Sequence, residues 1–181
     1  MKGAVFIAFN DMIEGLHGIE KWEAILNKAQ PESEGIYASA GSYADEEIVQ
    51  LVLAAADELD APASDITRSF GKYLFGELNK KFPIFASLHD DLFSFLNSIE
   101  SVIHKEVRKL YNDASLPKIS CSKINNHHFR MTYESPRKMC ALAEGLILGA
   151  AEHYQANASL SQPQCMHEGS DQCHIDIVID E

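Results

Sequence analysis

The chain has 181 residues, with 15 basic and 27 acidic side chains and a formal net charge of −12. At 46% hydrophobic and 23% charged it can build one globular domain with a sizeable core, and its negative charge argues against nucleic acid or an anionic membrane surface as a partner. The opening MKGAVFIAFNDMIEG lacks the apolar core and cleavage site of a signal peptide, and no run reaches the roughly 18 apolar residues of a membrane span. A cytoplasmic protein is expected, with Cys121, Cys140, Cys165 and Cys173 as reduced thiols or metal ligands rather than a disulfide framework.

In chain order, Val5, Phe9, Met12, Ile13 and Leu16 recur at helical spacing, with Gly15 and Gly18 as terminators. A short helix around Trp22–Lys28 and a polar loop, PESEGIYASAGSY, follow. Asp45 opens an amphipathic helix with Ile48, Leu51, Val52, Ala55 and Leu59 on one face, ended by Pro62. Ser64 is suited to cap the next helix, which carries Ile66, Phe70 and Leu74 toward Pro83. The longest periodic run, LHDDLFSFLNSIESVIHKEVRKLYND, predicts a continuous helix with a stripe of Leu92, Leu96, Ile99, Ile103, Val107 and Leu110.

After Pro117 the period changes to two. Ile119 and Cys121, then Phe129, Met131 and Tyr133, alternate on either side of NNHH and predict a β-hairpin. Pro136 suits the first turn of a helix running to Tyr154. The closing QCMHEGSDQCHIDIVID reads as a turn at Glu168–Asp171 and a strand with Ile175, Ile177 and Ile179. The order predicts an α+β fold with a small antiparallel sheet.

Two features stand out chemically. In YESPR, Tyr133, Ser135 and Arg137 alternate, so an extended strand would present a phenol, a hydroxyl and a guanidinium on one face. That set suits a carboxylate or phosphate, although a strand ending in a Ser-Pro turn with a local ion pair is the reading the residues alone favour. His104 stands at the edge of the long apolar stripe, where a lone histidine is more often a surface or satisfied core residue than a metal ligand. The adjacent His127 and His128 point apart in their turn without a carboxylate cluster, which argues against a metallohydrolase.

Together MKGAVFIAFN, SIESVIHKEVRKLYNDASLP and YESPRKMCALAEGL resemble the heme nitric oxide/oxygen binding (H-NOX) family, over essentially the whole chain. The resemblance implies a single domain over residues 1–181, with a helical N-terminal lobe (1–63), a heme-ligating α/β lobe (64–181) and heme between them. It implies His104 as the axial ligand of a non-covalent heme b, since Cys-x-x-Cys-His is absent. By the same match Tyr133, Ser135 and Arg137 bind the propionates, and Pro117 presses on the porphyrin. The distal pocket corresponds to Val5, Phe9, Leu74, Leu78, Leu142 and Leu146. Oxygen-binding members carry a tyrosine where Leu142 stands, so NO sensing is expected, with CO as a further ligand and no stable O2 complex. The implied role is regulation of a histidine kinase or cyclic-di-GMP enzyme rather than catalysis.

Cys140, Cys165 and Cys173 could converge on zinc, as in some bacterial members whose fourth ligand is a histidine. Here Gln162 falls at that position, leaving His167 or His174 as substitutes, although His174 should point away from Cys173 in a strand. The alternatives to a gas sensor are a zinc or thiol redox sensor, or an interaction module without functional heme.

Overall fold

The computed structural model describes residues 1–180. Helices α1 (Gly3–His17), α2 (Ile19–Ala29), α3 (Asp45–Glu58) and α4 (Ala63–Lys81) come first, followed by short helices α5 (Ile84–Ser87) and α6 (Leu92–Ser98). A wide π turn (Ile99–Ile103) leads into α7 (His104–Leu110). Strands β1 (Lys118–Lys123) and β2 (His128–Glu134), helix α8 (Cys140–His153), and strands β3 (Ala158–Gln164) and β4 (Cys173–Ile179) complete the chain. The sheet is antiparallel with order β1-β2-β4-β3, so the expected α+β architecture holds. No helix among the described residues is long and apolar enough to cross a membrane.

Several boundaries differ from expectation. Gly15 lies inside α1, and Gly18, at φ +85°, is the residue that ends it. Pro62 rather than Ser64 precedes α4, and no side chain caps that helix. Strand β2 stops at Glu134, and α8 starts at Cys140 rather than near Pro136. Residues 135–138 close a turn through Lys138 N–H to Ser135 C=O (3.0 Å), with Lys138 at φ +51°. The predicted continuous helix over Leu92–Leu110 is interrupted by the π turn, where the His104 N–H bonds the carbonyl of Ile99. Such wide turns recur at functional sites.

Two apolar cores form. One gathers Phe6, Phe9, Ile13, Trp22, Ile48, Leu51 and Phe70 from α1–α4. The other packs the inward faces of β2 and β4 (Phe129, Met131, Ile175, Ile177) against α6 and α8. Helix α4 gives Ile66, Phe70 and Leu74 to the first and Phe75 to the second, so it serves both. It meets α8 at very close range: a Cβ at Gly145 would stand 2.0 Å from the Arg68 carbonyl oxygen, and one at Gly71 2.3 Å from that of Leu142. Beside this seam the Glu144 carboxylate, 8% exposed, accepts from Arg68 Nε (2.9 Å) and Nη2 (2.8 Å).

Candidate functional site

Between the two cores lies a cavity of about 1270 Å³. The apolar stripe of the long periodic run enters its wall: Leu96, Ile99, Ile103, Val107 and Leu110 all line it. Only Leu92 and Leu96 of that stripe are fully buried, and Leu110 is 68% exposed. An apolar face that its own core does not fill suits a large apolar guest.

His104 stands on the same wall, its side chain 11% exposed. Its Nδ1–H donates to Glu100 Oε2 at 2.8 Å, and Arg108 Nη2 donates to Glu100 Oε1 at 2.6 Å. A carboxylate can only accept, so the proton is on Nδ1 and the Nε2 lone pair is left for a metal. Partial burial works against the Glu100 carboxylate, but the hydrogen bonds from Arg108 and His104 outweigh it and keep its pKa below the ordinary value. Pro117 lines the cavity as well, after the loop that leaves α7.

Of the YESPR triad, Tyr133 and Arg137 line the cavity, whereas Ser135 is buried behind it at 2% exposure. Strand β2 ends between them, so the three do not share one strand face as the alternation suggested. Ser135 Oγ accepts from the Arg137 amide (3.3 Å) and thereby shapes the turn. Tyr133 Oη accepts from the Met139 amide (3.2 Å), which leaves the phenol proton to donate. Burial pushes the Tyr133 pKa up, with opposing help from its hydrogen bonds, so the phenol stays protonated as a donor. The Arg137 guanidinium donates to the Ser115 carbonyl and lies 3.6 Å from Asp45 Oδ1. Asp45 also pairs with the N-terminal ammonium at 2.8 Å.

On the side built from the N-terminal core, Val5, Leu74, Leu78, Leu142 and Leu146 line the cavity. Phe9 does not: it is fully buried between Phe70 (ring centroids 5.0 Å apart) and Trp22 (6.3 Å). Its spacing from Val5 puts it one helical turn on, where the first core claims it. The tyrosines among the lining residues are Tyr111, just after α7, and Tyr133.

Away from the cavity, Cys140, Cys165 and Cys173 bring their sulfurs within 4.8 Å of one another, and Cys140 and Cys165 are 3.9 Å apart. Thiolates around tetrahedral zinc, at Zn–S of about 2.3 Å, stand about 3.8 Å apart. No imidazole joins them among the described residues. His167, expected as a substitute ligand, has its Nε2 2.7 Å from the Lys138 carbonyl oxygen, and His174 Nε2 meets the Gln172 side chain at 3.0 Å. The Gln162 amide borders the Cys140 thiol instead. Burial pushes the Cys140 thiol up to about 12, and the neighbouring sulfurs push the same way.

Two functional partners escaped the sequence reading, Glu100 and Asp45. Glu100 was findable, four residues before His104 on one helical face; Asp45 reaches Arg137 from 92 positions away (137 − 45) and carries no local signal.

The donor set fits heme: an imidazole nitrogen with its second nitrogen fixed, a phenol and guanidinium for carboxylates, and an otherwise largely aliphatic enclosure. The sequence profile of the haem-NO-binding family matches residues 2–162. No curated protein matches. Among solved structures, the H-NOX protein from Shewanella oneidensis in its Fe(II)NO ligation state is 37% identical, with all of both chains covered and a TM-score of 0.92. The same organism's SO2144 H-NOX domain in the Fe(II)CO state is 37% identical, covering 100% of this chain and 99% of that one (TM-score 0.89). The Fe(II) unliganded H-NOX protein from K. algicida is 30% identical over 100% and 97% of the two chains (TM-score 0.91). The helical N-terminal part, the α/β C-terminal part and a family match over most of the chain converge: this protein belongs to the haem-NO-binding, or H-NOX, family.

Proposed function

We propose that the chain is a heme-based NO sensor that signals to a partner protein and catalyses nothing itself. The observation that carries this reading is a single cavity that His104 lines together with the aliphatic Val5, Leu74, Leu78, Leu142 and Leu146, with Tyr133 and Arg137 also lining it. Heme, when bound there, supplies a ferrous iron on which a diatomic gas can bind.

The chain's own groups do the rest. His104 offers Nε2 as axial donor. Arg137 and Tyr133 would donate to the propionates, with Ser135 holding their turn, and Pro117 would bear on the macrocycle. The walls at Val5, Leu74, Leu78, Leu142 and Leu146 give bound dioxygen no hydrogen-bond donor. A missing charge-assisted bond costs about 1.5–3 kcal/mol, or about ten- to hundredfold in affinity. NO needs no such donor, so NO is the signal, CO a further ligand, and a stable O2 complex is disfavoured. A change in what His104 holds would be passed to α7 and the loop through Pro117, and a histidine kinase or cyclic-di-GMP enzyme would read the altered surface.

Ferrous absorption spectra with NO, CO and air test the assignment, alongside His104→Gly. The expected result is NO and CO complexes, no stable oxy spectrum, and an unliganded spectrum changed by His104→Gly. An unchanged spectrum in that variant, or a persistent oxy complex in wild type, refutes it.

The spacing of the three sulfurs supports a second reading, a structural zinc held by Cys140, Cys165 and Cys173 with no histidine as fourth ligand. Elemental analysis of reduced protein should find one zinc per chain, lost in Cys165→Ser; metal-free wild type would dismiss the site.

A further inference from the structure

We propose that Glu100 is the positioning residue for His104, setting the strength of its axial bond, and that Arg108 tempers it. This rests on His104 being the axial ligand. Glu100 Oε2 accepts the Nδ1 proton at 2.8 Å while Oε1 accepts from Arg108 at 2.6 Å. The three stand at successive four-residue steps, on the π turn and the start and middle of α7. Glu100 therefore does two things. It fixes the tautomer and orientation that leave Nε2 toward a metal, and it draws on the Nδ1 proton, giving the ring partial imidazolate character and a stronger Nε2 donor. Arg108 shares the same carboxylate, withdraws charge from it, and so weakens that pull. The donor strength of His104 is thus set by a carboxylate with two claimants rather than by the imidazole alone.

Outer partners of this kind change metal affinity by about 10- to 100-fold when removed. In heme-loaded protein, Glu100→Ala should lower the iron–histidine stretching frequency in ferrous resonance Raman spectra. It should also raise the rate of His104 release on NO binding by about tenfold, the low end of that range. Glu100→Gln keeps an acceptor without charge and should fall between wild type and alanine. Arg108→Ala, at a half-exposed position safe for folding, should move the frequency upward, the opposite sign. A purely structural role for the trio predicts no such sign reversal. Unchanged frequencies in Glu100→Ala, or a shift of the same sign in Arg108→Ala, overturn the proposal. His104→Gly separates the two levels. If the iron–histidine band survives there, the axial assignment itself fails; if it vanishes there yet is unmoved by Glu100→Ala, only the role of Glu100 fails.

Discussion

Gly145→Ala should destabilise the protein even though alanine is the better helix former. A Cβ at this position would stand 2.0 Å from the Arg68 carbonyl oxygen, 2.8 Å from the Gly71 Cα and 2.9 Å from the Arg68 carbonyl carbon. Carbon–oxygen contacts close no nearer than about 3.3 Å, so α4 and α8 must part by about 1.3 Å (3.3 − 2.0). All three obstructing atoms are backbone, which leaves no side chain to swing aside. Overpacking of this kind costs about 1–3 kcal/mol, and the rigid surroundings place it near the upper end. The helix preference for alanine returns about 0.5–1 kcal/mol, for a net loss of about 2 kcal/mol. At about 2–4 °C per kcal/mol for a chain of this size, the midpoint of thermal unfolding should fall by about 4–8 °C. Gly15→Ala is the matched control, being an exposed glycine inside α1 with nothing within 4 Å of the added carbon. It should gain about 0.5–1 kcal/mol and melt about 1–4 °C higher. Circular dichroism melts of both variants decide the matter. A Gly145→Ala protein that melts with wild type would show that the two helices are not in contact at this range.

Leu142→Tyr should place a donor on the aliphatic wall and raise O2 affinity by about 10- to 100-fold, read as an oxy spectrum in air; no gain would mean that this position does not face the bound gas. Asp176 is held below the ordinary carboxylate pKa by the cross-strand Arg130 guanidinium, which meets it at 2.6 and 2.8 Å. A depressed folded pKa contributes stability above the unfolded value of about 3.9 and loses it as pH falls through the folded value. Asp176→Asn should therefore lower the urea midpoint at pH 7 and converge on wild type in acid, whereas a pH-independent difference would refute the ion-pair account. Cys121 is pushed up to about 12 by burial, so folded protein should resist alkylation there at pH 8 and react once unfolded, as peptide mass spectrometry would record.

The parts of the site legible in sequence were those with a chemical signature at short range. The Tyr133–Arg137 stretch and His104 offered suitable groups by residue type, but only the resemblance to the family joined them in one site; the sheet showed in the change of period after Pro117. Periodicity failed where two surroundings share one pattern. Leu92, Leu96, Ile99, Ile103, Val107 and Leu110 fit an unbroken α-helix, and nothing in that rhythm distinguishes a protein core from the wall of a cavity. The π turn that ends on the His104 amide is likewise invisible, because the steps of four from Ile99 to Ile103 to Val107 suit a wide turn as well as an ordinary one. Val5 and Phe9 are equivalent by helical spacing, yet only Val5 reaches the cavity. Gly71 and Gly145 carry no local signal, since the close approach that requires them exists only between two helices 74 residues apart (145 − 71).

The two walls of the cavity belong to different cores, and the links between those cores differ in stiffness. At one side α4 and α8 meet backbone to backbone, with Glu144 buried against Arg68, so displacement there must break close packing. At the other, the loop that follows α7 meets the N-terminal lobe through polar contacts: Lys2 Nζ and Ser42 Oγ reach Asp113 at 2.8 and 2.6 Å, Lys2 Nζ lies 4.9 Å from the centre of the Tyr111 ring, and Arg137, which donates to the Ser115 carbonyl, lies 3.6 Å from Asp45. The Asp113 end of this clasp is 59% exposed, where ion pairs are weak and screened by salt, while the Lys2 side chain is 18% exposed. A movement of α7 therefore meets little resistance from this clasp and much from the seam. A push on α7 would be taken up first at the loop between Tyr111 and Pro117, the segment that carries His104's helix into β1, the neighbour of the strand bearing Tyr133.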